Sequence, residues 1–279
     1  MIGHSMVFEM NRGVKRVRPS SSKRLLFAMI TGAALLAASG CASIVPYPQV
    51  AADTSVSPTL AWQRVLQENV NDVGQINFAH LRDHPESLFQ FLNTIGDYSP
   101  RSNPALFPDR DSQIAYSLNS YNALAMYNVI QFGIPVKLSG HEILKFFELR
   151  RFKIGTEYLT LYRYENEVIR PMGEERVHFA LNCMARGCPR LPRVPFTSID
   201  LNQQLEDQTR FFLNEERNVQ VDDVHRKVAV SSILKFYTKD FLKKAPSLIA
   251  YINRYRKSPI PPDYEVGFIL YDWTINRQP

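Results

Sequence analysis

Cysteine is scarce in this chain: three residues in 279, at Cys41, Cys183 and Cys188. That is too few to staple a domain of this length, so the fold must rest on a hydrophobic core. A long apolar run is also missing. The segment "LLFAMITGAALLAA" (residues 25–38) has 14 residues, against the ~20 needed to span a bilayer. No internal repeat recurs at a fixed period, which excludes solenoids and propellers. Nor does any Cys and His spacing match a common structural zinc site, since C-x4-C with His178 five residues upstream of Cys183 is not such a pattern. No metal and no cofactor are therefore expected.

A strong net charge is missing too, once the N-terminus is set aside. The whole chain has 33 basic and 27 acidic residues. Residues 1–40 hold six of the basic residues and only Glu9 among the acidic ones, leaving 27 against 26 for the remainder. A chain so close to neutral gives no ground for nucleic-acid binding. The leader itself reads "KRVRPSSSKR", then the apolar run, then "SGC". A basic segment, an apolar core and small residues before a cleavage point make an export signal. "LLAASGC" further resembles the lipobox of bacterial lipoproteins. The resemblance implies lipidation of Cys41 and a membrane partner reached through that lipid. Ala42 and Ser43 follow, with no aspartate, which implies the outer membrane facing the periplasm.

Three segments are expected: a signal peptide at 1–40, a proline-bearing tether at 41–58, and one globular domain at 59–279. Within the domain, "SPTLAWQRVLQENV" has a Ser57 cap, Pro58 and helical spacing. "ESLFQFLNTI" is amphipathic. "DSQIAYSLNSYNALAMYNVIQF" is apolar nearly all round, so it is expected to be a central buried helix. "QINFAHL" and "VHFALN" read as short strands, "RRFKIGTEYLTL" and "VQVDDVHRKVAVS" as hairpins, and "YRYENEVIRP" as a short helix stopped by Pro171. "SIDLNQQLEDQTRFFLNEE" is an amphipathic helix, with Ser198 as its cap. "SSILKFYTKDFLKKAPSLIAYINRY" is helical in pieces, and "YEVGFILYDWTIN" is a closing strand. Helices and strands mix without a βαβ rhythm, so the expected class is α+β, a single domain with a central buried helix and a small mixed sheet.

Chemistry concentrates in "RVHFALNCMARGCPRL". Cys183 and Cys188, in an oxidising envelope, point to a disulfide. A reactive thiol, a zinc pair and two inert buried thiols remain open alternatives. In a regular strand His178 and Cys183 would sit on opposite faces about 16 Å apart, so a direct dyad needs the strand to end early. Gly187 and Pro189 mark a turn that returns Cys188 toward His178. Asn119 and Asn122 share one face of the central helix, and as buried asparagines they must have partners. Glu165 lies among aromatic residues and is either an ion-pair partner or the orienter or base for His178.

"AYSLNSYNALAMYNVI", "YLTLYRYENEVIRP", "RVHFALNCMARGCPRL", "SSILKFYTKDF" and "YDWTIN" occur in this order. Together they resemble the domain of unknown function family 547, found in bacterial envelope proteins, over about residues 60–275. Tyr116 and Ser117 stand where the family usually has phenylalanine and tryptophan, and Asn166 where many members have histidine after the glutamate. The family carries no agreed activity. Two functions are expected to compete. One is a binding or assembly lipoprotein with a structural cysteine pair and a protein or peptidoglycan partner. The other is a papain-like thiol hydrolase or transferase acting on envelope amide bonds, with Cys183, Cys188, His178, Glu165 and Asn122 as its candidate residues.

Overall fold

Ser57 opens the first helix as its spacing predicts. Its hydroxyl accepts the Leu60 N–H at 3.2 Å, and Pro58 fills a first-turn position where no N–H is needed. The computed structural model describes residues 42–50 and 57–279. The signal peptide and Cys41 lie outside the described residues. Helix α1 (Pro58–Asn69) buries Ala61, Trp62, Val65 and Leu66. Helix α2 (Phe78–Asp83) follows, then α3 (Glu86–Asp97), which turns Leu88, Phe91, Leu92 and Ile95 inward. Trp62 stacks on Phe91 with ring centroids 5.4 Å apart.

The central helix α4 (Arg110–Gln131) starts at a capping box formed by Asp109 and Ser112 and is buried on every side from Leu118 to Val129. Helix α5 (His141–Glu148) leads into the first sheet. Strands β2 (Arg150–Ile154) and β3 (Glu157–Thr160) pair antiparallel, and β1 (Ser43–Ile44) pairs parallel to β2. Gly155 in the hairpin turn has φ +59°, and a Cβ there would meet the Ser99 and Ser102 hydroxyls at 2.4–2.5 Å. No larger residue fits. The chain then turns through residues 161–172, a helical segment whose middle, Tyr164–Ile169, is a π-helix.

Helix α6 (Leu201–Asn214) crosses to a second three-stranded sheet. There β4 (Val219–Asp222) and β5 (Lys227–Ser231) form a hairpin, and β6 (Glu265–Ile269) lies parallel beside β5. Helices α7 (Ser232–Phe236), α8 (Thr238–Leu242) and α9 (Leu248–Asn253) fill the space between β5 and β6 in sequence. The result is one α+β domain with two small mixed sheets. Its apolar interior falls into two clusters, one around α4 and one around Phe212, Phe241 and Tyr251. The turn Glu175–Phe179 straddles them: Val177 belongs to the first and Phe179 to the second. His178 sits at the seam.

Four readings need correction. "VHFALN" is a 3₁₀ turn over Glu175–Phe179 and not a strand, because both clusters claim successive residues and erase the two-residue alternation. "QINFAHL" yields only isolated bridges at Ile76, to Val70 and to Arg277, and then α2, which Asn77 caps by accepting the His80 N–H. Helix α6 has Asp200 at its N-cap position, and Ser198 is not its cap. The expected tether is docked over its first half. Ser43 N–H donates to Leu149 O, the Tyr47 hydroxyl to Lys153 O at 2.7 Å, and the Tyr127 hydroxyl to Pro46 O at 2.8 Å. Val45 is buried beneath. Three prolines in 42–58 suggested free chain, yet an extended segment can still use an open sheet edge. Among the described residues no helix is long and apolar enough to cross a membrane.

Candidate active site

The loop from Asn182 to Pro189 is closed by its own first residue. Asn182 Oδ1 accepts the Met184 N–H at 2.7 Å, and Asn182 Nδ2 donates to Pro189 O at 2.7 Å. Met184 takes φ +69°, a left-handed conformation that side chains rarely adopt. The C-terminal segment runs antiparallel alongside: Asn276 N–H donates to Met184 O, Arg186 N–H to Thr274 O, and Gly187 N–H to Asp272 O. Asn122 of α4 anchors the loop from beneath. Its Oδ1 accepts the Asn182 N–H at 2.8 Å and its Nδ2 donates to Ala180 O at 3.0 Å. Asn119 does the same for the next turn of chain, bonding Phe196 N–H, Phe196 O and Trp62 Nε1. Both asparagines brace backbone, and Asn122 does not reach His178 in a catalytic role.

This looping brings the two sulfurs to 2.9 Å. The structure has them as free thiols and does not show the expected bridge. Cys188 Sγ also accepts the Cys183 N–H at 3.1 Å and lies 3.0 Å from the Tyr271 hydroxyl; Cys183 Sγ lies 3.3 Å from it. The two thiols diverge electrostatically. Burial pushes Cys188 up, but hydrogen bonds from Cys183, from Tyr271 and from backbone N–H groups outweigh it and hold the thiol below its ordinary value. Cys183, donating to its neighbour and buried, is raised well above. Cys188 is therefore the sulfur favoured as a thiolate.

His178 lines the same cavity. Its ring lies flat on Tyr237 at 3.6 Å and edge-on to Phe241. Nε2 faces Asp240 Oδ2 at 3.1 Å. Asp240 is held well below the carboxylate range: burial opposes this, but the bonds to His178, Arg170 and Lys243 prevail. Burial lowers His178 to about 4, against the pull of Asp240. The imidazole is thus neutral at neutral pH, with its proton on Nε2 toward Asp240. Nδ1 is left with a lone pair, buried and without a hydrogen-bond partner among the described residues. No hydrogen bond joins His178 to either sulfur. The cavity between them is about 40 Å³ and lined by Tyr121, Leu181, Phe236, Tyr271 and Trp273 among others. A space of ~10–15 Å³ already admits a water.

Glu165 lines the cavity without a hydrogen bond to the histidine. Tyr237 and Tyr121 donate their hydroxyls to its two oxygens, the latter at 3.2 Å. Burial raises its carboxyl above the ordinary value, against those bonds and Arg170. The expected orienting role falls to Asp240, and Glu165 instead holds Tyr237, on which the imidazole rests.

Residues 106–213 match the family model described as "Protein of unknown function, DUF547". The match bears out the resemblance over the block that carries Glu165, His178, Cys183 and Cys188. No curated protein and no solved structure matches the chain. Two site residues, Asp240 and Tyr271, lie beyond the DUF547 match. Reading for chemistry missed both, because an aspartate in "FYTKDFL" and a tyrosine in "ILYDWTIN" look ordinary. Their one signal was their place in two of the five resembling blocks. Among the described residues no cluster of three or more His, Cys, Asp or Glu could hold a metal.

Proposed function

We propose that this protein is a thiol enzyme of the cell envelope that cleaves or exchanges amide bonds. The observation that carries the reading is the orphaned Nδ1 of His178. A buried ring nitrogen without a partner is costly, and here it lines one cavity with a favoured thiolate while Asp240 fixes the tautomer. In the proposed sequence Nδ1 takes the Cys188 proton as Sγ bonds the substrate carbonyl carbon. The C–N bond then breaks, and the amine leaves with that proton. Water, or a second amine, attacks the thioester and passes its proton to Nδ1, and the C–S bond breaks to restore the thiol. The Tyr271 hydroxyl, 3.0 Å from Sγ, would be a side-chain donor for the developing oxyanion. Envelope location, lipidation at Cys41 and an outer-membrane address rest on the leader alone.

The test is acyl trapping. Full-length protein is incubated with an activated acyl ester and with peptide amides and read by intact mass. An adduct that maps to Cys188, disappears in Cys188→Ser and slows at least tenfold in His178→Gln supports the reading. The absence of any adduct, together with alkylation of Cys188 indifferent to His178→Gln, would overturn it. The 2.9 Å sulfur contact favours a second reading, a binding or assembly lipoprotein whose cysteines close into a clamp. Mass spectrometry of exported protein with and without reduction separates the two. A pair fully oxidised and inert to reductant supports the clamp, and a free dithiol supports the enzyme.

A further inference from the structure

The cysteine loop has a second face. Behind it lies a cleft of about 380 Å³, far roomier than the thiol cavity and within the range of small-molecule sites. Three arginines line it: Arg186, Arg190 and Arg217. Two carboxylates oppose them. Glu215 bridges Arg190 and Arg217, accepting from the first at 2.7–2.8 Å and from the second at 3.0–3.1 Å. Asp272 also lines the cleft, and its carboxyl is held below its ordinary value: burial opposes this, but bonds from Thr274 and the charges of Arg186 and Lys137 prevail.

An arginine–carboxylate–arginine bridge would be complete as a structural clamp. The third arginine and the empty volume beside it are not needed for that. The bridge also leaves Arg190 Nη1 without a partner among the described residues, and the Arg186 side chain has neither an ion pair nor a hydrogen bond there. The cleft thus carries an excess of positive charge with unused N–H groups in the fork geometry that suits oxyanions. Ser231, Ser232 and Asn276 are also among the residues that line it.

We infer that this cleft binds a small anionic ligand, a carboxylate or phosphate group gripped by Arg186 and Arg190. It is also wired to the thiol. Arg217 donates to Arg186 O at 2.8 Å and to Cys188 O at 3.4 Å, so an anion that draws on Arg217 pulls on the backbone of the nucleophile's own loop. The binding claim stands apart from the proposed enzymology, since it is read by binding and not by turnover.

Isothermal titration of the full chain with inorganic phosphate, with succinate and with a glutamate-terminated tripeptide tests it. The three arms separate a phosphate source from a free carboxylate and from a peptide tail. At least one should bind saturably with one-to-one stoichiometry, and weaken as salt rises. Arg186→Gln, at an exposed and unpaired position that the fold does not need, should weaken it at least tenfold, and Arg186→Lys should recover part of the loss. The bound anion should also change the rate at which iodoacetamide alkylates Cys188. No saturable heat in any arm, or binding untouched by Arg186→Gln, would overturn the inference.

Discussion

Two sets of buried polar groups meet at the cysteine loop, and they differ in one respect. Asn119, Asn122 and Asn182 spend both their donor and their acceptor sides on specified backbone or side-chain groups. His178 spends one ring nitrogen and leaves the other bare. Both sets look alike in sequence, as polar letters within apolar runs. Their satisfaction tells them apart: a completed network holds a shape, and an incomplete one holds a place for something else. Asn128 Oδ1 is also unpaired, but Asn128 lines neither cavity, so an open valence marks a site only where there is room beside it.

The comparison breaks most severely at Asn122. Asn122→Ala would strand the Asn182 N–H and the Ala180 carbonyl together, and at ~1–3 kcal/mol for each stranded group urea unfolding should show a loss of roughly 3–4 kcal/mol. A loss below about 1 kcal/mol would show that the loop does not depend on this brace. His178 should behave differently. Its folded form titrates near 4, below the ordinary 6.5, so only the unfolded chain binds a proton between those values. Stability from this group is complete above about pH 6.5 and drains away as pH falls to about 4, by up to roughly 3 kcal/mol. The depressed Asp240 carboxyl acts below that window. His178→Gln should flatten the slope, and an unchanged slope would place the titration elsewhere.

A smaller effect is expected at Tyr271. Tyr271→Phe removes the hydroxyl shared by the two sulfurs, so the Cys188 thiol should titrate higher and alkylate more slowly at neutral pH, while stability falls by about 1 kcal/mol. An unaltered alkylation profile would mean that Cys183 and the backbone N–H groups set the thiolate without Tyr271. The smallest effect belongs to His225. It is exposed, on the β4–β5 turn, and paired with Asp222, and His225→Gln should shift stability by no more than about 0.5 kcal/mol.

How much of this was legible in the sequence depended on whether a residue's environment was local. Helix α4 announced itself through 22 residues without a breaker, and the β4–β5 hairpin through alternation around two aspartates. The Ser57 cap needed only three residues of context. The turn that carries His178 was illegible, because Val177 and Phe179 answer to different clusters and their burial erases any period. Asp240 was hidden for a related reason. It lies 62 residues from its partner, and nothing in the letters around it records the meeting. The cysteine pair was visible as a pair. Which sulfur would hold the charge was not, since that turns on Tyr271, 83 residues beyond Cys188.

The docked N-terminal strap has a consequence for where the molecule would sit. Ser43 joins the sheet edge through its own N–H, two residues after Cys41. At ~3.3–3.6 Å per extended residue, a lipid on Cys41 would leave about 7 Å of chain before the fold begins. That is no more than about the thickness of one lipid headgroup layer, roughly 5–8 Å, so a domain lipidated there would not swing on a leash but lie against the bilayer by the edge that β1 occupies. Its orientation would then be set by the sheet and not by diffusion. What the openings of the cysteine loop could meet would be decided by which way that edge faces.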